Sequence, residues 1–282
     1  MQVFKNIQDL HPLLSKKKRD GLTLGFVPTM GALHQGHLSL IQQALDENNC
    51  VIVSIFVNPT QFDNSADFEK YPRIVDADLI LLSNLENNVF VYVPQPKDIY
   101  PTGITSKHFD FGGIENEMEG KYRLGHFDGV GTVLKSFFEL LQPTTAYFGE
   151  KDFQQLQIVK KLVAIEKLPV KIIGCPIFRE SSGLAMSSRN KRLSEEQLKE
   201  AAILFKILSQ IKIDFGTKNA KDITKWVAKE LKKNKSVALE YFEIADETTL
   251  KPIVNIEKYK KYRAFIAVFL GEVRLIDNIA LN

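Results

Sequence analysis

The sequence predicts an α/β fold: a doubly wound parallel sheet followed by a smaller C-terminal α+β domain. Three observations point to it. Short β-prone runs alternate with segments of helical periodicity as far as Phe178. Cys50-Val-Ile-Val-Ser-Ile-Phe-Val57 is almost continuously apolar, as a central parallel strand covered on both faces must be. Past Phe178 the order changes, and two helical segments precede three closely spaced β-prone runs, which suit an antiparallel sheet. The domains are therefore expected at 1–178 and 179–282.

Ile7, Leu10, Leu13 and Leu14 mark an opening helix, and Lys16-Lys-Lys-Arg19 reads as its solvated end, where cations suit the dipole. Thr23–Ile41 reads as strand, glycine-bearing loop and helix. It starts apolar, is punctuated by Pro28, Gly31 and Gly36, and then places Leu38, Ile41 and Leu45 at helical spacing. A helix at about Val75–Asn87 and a strand at Val89–Val93 complete another β–α–β passage. From Tyr100 to Gly129 glycine and charge dominate, and little regular structure is predicted; loops that long are more often functional than idle. A helix over Gly129–Leu141, a strand at Ala146–Phe148, a helix over Phe153–Lys167 and a strand at Val170–Cys175 close the series.

Arg179–Asn190 is polar and reads as a flexible hinge. Helices are expected at about 194–211 and 219–233, then strands at Ala238–Ala245, Ala264–Leu270 and Val273–Asn278. Lys225, Lys229, Lys232 and Lys233 read as the solvated face of a helix that buries Ile223, Val227 and Leu231.

A net charge of +3 over 282 residues counts against a dedicated nucleic-acid surface. No apolar run reaches the ~20 residues of a membrane helix, and no secretory signal is visible at the N-terminus. Cys50 and Cys175 sit in apolar runs and read as buried thiols of a reducing, cytoplasmic protein.

His34-Gln-Gly-His37 falls where a loop enters a helix, so two imidazoles, free backbone N–H groups and the helix dipole face one concavity. That suits a phosphate. The alternatives are a histidine pair in a metal site, which lacks the third and fourth ligands zinc requires, or two satisfied loop histidines. In a parallel sheet, ligands bind beyond the C-terminal strand ends. Met30–His37, Asn58–Gln61 and Gly149–Gln155 all fall at such ends and are expected to converge on one crevice.

Pro28-Thr-Met-Gly-Ala-Leu-His-Gln-Gly-His37, Asn58-Pro-Thr-Gln-Phe62, Gly125-His-Phe127, Phe148-Gly-Glu-Lys-Asp-Phe-Gln-Gln-Leu156 and Gly183-Leu-Ala-Met-Ser-Ser-Arg-Asn190 resemble the pantoate–β-alanine ligase family. The resemblance spans the whole chain. The histidine motif alone indicates only the wider HxGH nucleotidyltransferase-like group, with its Rossmann-like fold.

The resemblance implies that pantoate and ATP form pantoyl adenylate and pyrophosphate, and that β-alanine then displaces AMP to give pantothenate. It implies catalytic roles for His37, the expected proton donor, and for His34, Lys151 and Arg189. These are expected to gather positive charge at the α-phosphorus, with Mg²⁺ on the phosphates. It assigns ATP contacts to Met30, Gly31, Ala32, Leu33, His34, Gln35, Gly36 and His37, to Gly149, Glu150, Lys151 and Asp152, to Phe178, and to a mobile loop of Met186, Ser187, Ser188 and Arg189. Gln61 is expected to touch pantoate and β-alanine, and Gln155 to touch pantoate, while its neighbour Gln154 reads as a surface glutamine. Asn58 and Arg123 are further substrate-binding candidates, and Asp78 and Glu119 are candidate Mg²⁺ ligands. Tyr71-Pro-Arg73 is family-like without an assigned role.

A homodimer that binds neither nucleic acid nor membrane is implied, with the C-terminal domain as a lid. The sequence departs from the family at Ser182, where aspartate is frequent, and at Leu124, where proline is. The rivals are a nucleotidyltransferase that leaves a nucleotide in its product, a nucleic-acid-binding module and a silent nucleotide sensor.

Overall fold

The fold follows from which face each strand residue buries. In this computed structural model, which describes residues 1–63, 65–85, 88–253 and 255–282, six strands form the main sheet: β1 (Gln2–Phe4), β2 (Leu24–Thr29), β3 (Cys50–Ile55), β4 (Val89–Tyr92), β5 (Thr145–Gly149) and β6 (Lys171–Cys175). All pairings are parallel, in the order β1-β4-β3-β2-β5-β6. Every residue of β3 is buried, because strands flank it and helices cover both faces.

The helices are α1 (Ile7–Arg19), α2 (Gln35–Glu47), α3 (Ser65–Lys70), α4 (Val75–Ser83), α5 (Pro96–Ile99), α6 (Glu119–Tyr122), α7 (His126–Leu141) and α8 (Phe153–Ile165). Alternation along the strands divides the core. Phe26, Ile52 and Phe90 point to the face covered by Phe137 of α7 and Leu156 of α8. Val27, Val51, Val53 and Val91 point to the other, against Ile41 of α2 and Leu82 of α4. Strand order reverses at β2, with β3 and β4 on one side and β5 and β6 on the other. A crevice therefore opens beyond the C-terminal ends of β2 and β5.

The C-terminal region contains α9 (Glu195–Ala201), α10 (Ile203–Asp214), α11 (Ala220–Leu231) and an antiparallel sheet of β7 (Val237–Asp246), β8 (Tyr262–Leu270) and β9 (Val273–Ala280). One face of this sheet packs on the helices through Phe242, Ile244, Ala264 and Ile266. The opposite face contributes Tyr241, Ala245, Phe265 and Ala267 to the core beneath α7 and α8, so the two sheets share apolar contacts.

Several elements differ from expectation. β1 is too short for a periodic signal and is held by its register on β4. The helix expected to reach Asn87 ends at Ser83, and Glu86 and Asn87 lie outside the described residues. α7 begins at His126 because Gly125 takes a left-handed conformation, φ 76°, just before it. The segment ahead of it is pinned by Phe109 and Phe111, which sit where a side chain on Gly131 would be. Arg179–Asn190 is built from a turn and a helix end: Arg179 and Ala185 pair across a hairpin turn in which Glu180 N–H donates to the Leu184 carbonyl at 2.9 Å, Arg179 forks onto Asp277 at 2.7 and 2.9 Å, and Ser188–Arg192 form a 3-10 helix. Ser182 accepts the Leu184 N–H at 3.4 Å within that turn, while Leu124 projects into solvent. No described helix is long and apolar enough to cross a membrane.

Candidate active site

The loop from β2 to α2 is built by two consecutive left-handed residues, Gly31 (φ 79°) and Ala32 (φ 51°). Asp78 of α4 makes that conformation stable. Its carboxylate accepts the N–H groups of Ala32 at 2.9 Å and Leu33 at 2.7 Å, and a side chain on Gly31 would meet it at 2.9 Å. Burial raises the Asp78 pKa and the two N–H bonds pull it back. Each oxygen accepts a loop N–H and Asp78 does not line the cleft, so the structure supports Asp78 as the residue that shapes the histidine loop and does not support its expected role as a Mg²⁺ ligand.

The two imidazoles lie with ring centroids 4.0 Å apart. His37 Nδ1 accepts the backbone N–H of His34 at 3.3 Å, which puts the neutral ring's proton on Nε2. His34 packs its ring against Gly36, where a Cβ would lie 3.0 Å from Nδ1 and would press on the imidazole. His34 Nδ1 itself is buried with no hydrogen-bond partner among the described residues. Burial, then Lys151 and Lys191, push His34 down to about 4; burial, then His34, Lys151 and Lys191, push His37 to about 3. Both rings are therefore neutral at pH 7, contrary to the expectation that they supply positive charge. They offer N–H donors instead.

The turn after β3, a single 3-10 turn at Pro59–Gln61, carries the second cluster. Asn58 is 1 % exposed and its amide is fully used. Nδ2 donates to Gln61 Oε1 at 3.0 Å and to the Gly129 carbonyl at 3.2 Å; Oδ1 accepts from Thr60 at 3.1 Å and from Tyr100. Asn58 therefore orients Gln61 and has no polar atom left for a ligand. Gln61 Nε2 lies 3.1 Å from Met30 Sδ, which joins this turn to the histidine loop.

The third cluster follows β5. Lys151 and Asp152 line the cleft, whereas the Glu150 carboxylate turns away to Arg263 of β8 at 3.3 Å, so its expected ATP contact is not supported by its side chain. Asn278 of β9, 1 % exposed, donates to the carbonyls of Glu150 and Lys151 at 2.9 Å each. Gln155 points into the cleft from the first turn of α8. Gln154 is the reverse of a surface glutamine: 3 % exposed, it accepts the Glu119 N–H at 3.0 Å and donates to the carbonyls of Ile114 and Glu117 at 2.9 and 2.7 Å.

These loops and the 186–189 segment enclose one cleft of about 1280 Å³, counting its open mouth. Met30, His34, Gly36, His37, Asn58, Gln61, Gly149, Lys151, Asp152, Gln155, Phe178, Met186, Ser187, Ser188 and Arg189 all line it. Ala32 and Leu33 are buried behind it, and Gln35 faces solvent. Ser188 donates to the Ala32 carbonyl at 3.1 Å, docking the far loop on the histidine loop. Arg189 pairs with Asp67 at 2.8 Å and lies 5.9 Å from the Tyr71 ring.

A family model described as pantoate–β-alanine ligase matches residues 2–280. The chain belongs to the pantoate–β-alanine ligase family. It is 54 % identical to a pantothenate synthetase of Christiangramia forsetii over all of both chains. Its fold matches a crystal structure of pantothenate synthetase from Thermus thermophilus with TM-score 0.90 and 35 % identity, covering 100 % of this chain and 99 % of that one. A pantoate–β-alanine ligase of Francisella tularensis, solved in complex with β,γ-ATP and β-alanine, matches at TM-score 0.83 and 38 % identity, covering 100 % and 98 %.

Against this ligase family, Glu119 also needs correction. Arg274 of β9 grips it at 2.7 and 2.9 Å, Tyr241 donates to it at 2.7 Å, and Arg123 stands 3.6 Å away. Burial would raise its pKa, but the Arg274 hydrogen bonds outweigh that and hold it at about 2. Glu119 ties α6 to the C-terminal sheet and is not free to bind a metal. Among the described residues no cluster of three or more His, Cys, Asp or Glu side chains is placed to hold a metal ion. Arg123 lines an adjoining hollow that shares Lys151, Asp152, Ser187 and Arg189 with the cleft, and donates to the Gln61 carbonyl at 3.3 Å.

Sequence reasoning missed Asp67, the partner of Arg189 and Arg192. It also missed the apolar wall of Val130, Val133, Leu134 and Phe137 on α7. Tyr71, 8 % exposed, lines the cleft, and its Tyr-Pro-Arg motif was the signal that could have placed it.

Proposed function

We propose that this cleft binds ATP and pantoate side by side, joins them as pantoyl adenylate and then admits β-alanine. The reaction itself is the ATP-dependent condensation of pantoate with β-alanine to pantothenate, with release of AMP and pyrophosphate. A pantoate carboxylate oxygen forms a bond to the α-phosphorus as the bond to the pyrophosphate oxygen breaks. The β-alanine amine then attacks the acyl carbon, loses a proton, and AMP departs.

The observation that carries the assignment of roles is the convergence of His34, the His37 Nε2–H donor, Lys151 and Arg189 around one cleft that also contains Gln61 and Gln155. N–H donors and fixed cations stabilise charge that develops on transferring phosphate without reorganising in the reaction. Gln61 and Gln155 supply donors and acceptors suited to the hydroxyls and carboxylate of pantoate. The apolar wall on α7 suits its dimethyl-bearing carbon.

Mg²⁺ fits as a companion of the triphosphate, since it keeps most of its own waters and takes only one or two carboxylates. Asp152, side chain 49 % exposed, is the acidic residue that lines the cleft among the described residues. When bound, Mg²⁺ supplies neutralisation of phosphate charge.

The domain boundary is proposed at 178/179, with the 179–282 domain flanking the cleft as its lid and the 186–189 loop closing over the phosphates. Membership of the family supports a homodimer, and the two free, buried thiols support the cytoplasm as its compartment. Pyrophosphate release should require ATP and pantoate but not β-alanine, and AMP should accumulate on adding β-alanine. Pyrophosphate release independent of pantoate contradicts the assignment.

A further inference from the structure

The Gly125-His-Phe127 motif takes no part in the chemistry above, yet its histidine is tightly held. His126, the first residue of α7, is 6 % exposed. Its Nδ1 lies 2.7 Å from the backbone carbonyl oxygen of Gln61, and its Nε2 lies 3.2 Å from Arg123 Nη1. A guanidinium only donates, so Nε2 is the acceptor, and the ring proton on Nδ1 donates to the Gln61 carbonyl. Arg123 Nη2 reaches the same carbonyl at 3.3 Å. One turn further along α7, Gly129 leaves room for the Thr60 carbonyl, which a Cβ would meet at 2.2 Å. The start of α7 is thus a mould for the turn that presents Gln61.

We propose that His126 is a positioning residue for the pantoate site: its Nδ1–H anchors the Gln61 backbone, and so sets where the Gln61 side chain enters the cleft. The inference rests on Gln61 contacting pantoate. His126 is not among the residues that line the histidine cleft; it borders the adjoining hollow that shares Lys151, Asp152 and Gln155 with it, and burial, then Arg123, hold its ring neutral with a pKa of about 3. It acts as a fixed donor across the working pH range.

The test compares His126→Leu, His126→Asn, His126→Gln and Gln61→Ala in the full chain, measuring KM for pantoate, KM for ATP and Tm. His126→Leu removes the donor from a buried carbonyl and should raise the pantoate KM about tenfold or more, with ATP KM changed less than about twofold. Asparagine can place its amide N–H where Nδ1–H was and should recover most of that loss; glutamine, matching the Nε2 position, should not. Equal losses in both KM values and Tm, with no recovery by asparagine, overturn the inference in favour of packing alone. An unchanged pantoate KM in His126→Leu overturns it as well. Should the leucine variant fail to fold, the asparagine and glutamine pair decides, and equal pantoate KM values for the two overturn it. If Gln61→Ala leaves the pantoate KM unchanged, the reading of Gln61 falls and this inference with it. If Gln61→Ala weakens pantoate while His126→Leu is silent, only the inference falls.

Discussion

Replacing Gly129 with alanine drives one methyl group into the turn that carries Gln61. The added Cβ would lie 2.2 Å from the Thr60 carbonyl oxygen, 2.5 Å from its carbon and 2.7 Å from the Gln61 nitrogen. These are backbone atoms, with no flexible side chain to swing aside. The turn must withdraw by about 1 Å before the contact is an ordinary one. Overpacking of this kind costs about 1–3 kcal/mol, and alanine in place of glycine inside α7 returns about 1 kcal/mol of helix propensity. The net loss of stability is therefore about 0–2 kcal/mol, and the protein stays folded. Activity is more sensitive: the same shift moves Gln61 and strains the Asn58–Gly129 bond, and misplacement by about 1 Å can reduce turnover about 100-fold. Steady-state kinetics with pantoate varied, run beside thermal melts, measure both. A variant with kcat/KM for pantoate within twofold of the parent refutes the claim that α7 sets the position of this turn.

Arg189→Ala should slow pantoate-dependent pyrophosphate release about 100-fold or more in single-turnover assays; an unchanged rate removes Arg189 from the first step. Glu119→Gln takes the carboxylate charge from Arg274, which keeps Glu240 as its other ionic partner, and should destabilise the fold by about 1–3 kcal/mol in urea titrations; rescue by added Mg²⁺ would instead mark Glu119 as a metal ligand. His34, His37 and His126 have folded pKa values of about 4, 3 and 3, below the unfolded 6.5. Below pH 6.5 the unfolded chain takes up protons that the folded protein refuses, so stability is full above that pH and falls as the solution is acidified. His126 alone contributes a loss of about 2 kcal/mol at pH 5. Chemical denaturation from pH 7 to 5 should show the decline, and a flat profile contradicts neutral buried rings.

The parallel sheet and its three strand-end clusters were legible because alternation of strand and helix forces the loops after β2, β3 and β5 onto one edge. What was not legible depends on burial and distant partners. Glu119 and Arg274 are 155 positions apart, and nothing near either identifies the pair. Asp78 looked like a free carboxylate until Ala32 and Leu33 were folded over it. Gln154 and Gln155 are neighbours of one type, and only the packing of α8 sends the first inward to brace α6 and the second into the cleft. The charge state of His34 and His37 escaped for the same reason, because desolvation belongs to the fold and leaves no pattern in the sequence.

Isotope transfer tests the central claim that pantoate is activated by AMP at this cleft. With pantoate labelled by ¹⁸O in its carboxylate, turnover with ATP and β-alanine should deliver one labelled oxygen to AMP and none to pyrophosphate. Label appearing in inorganic phosphate or pyrophosphate, or absent from AMP, contradicts an adenylate.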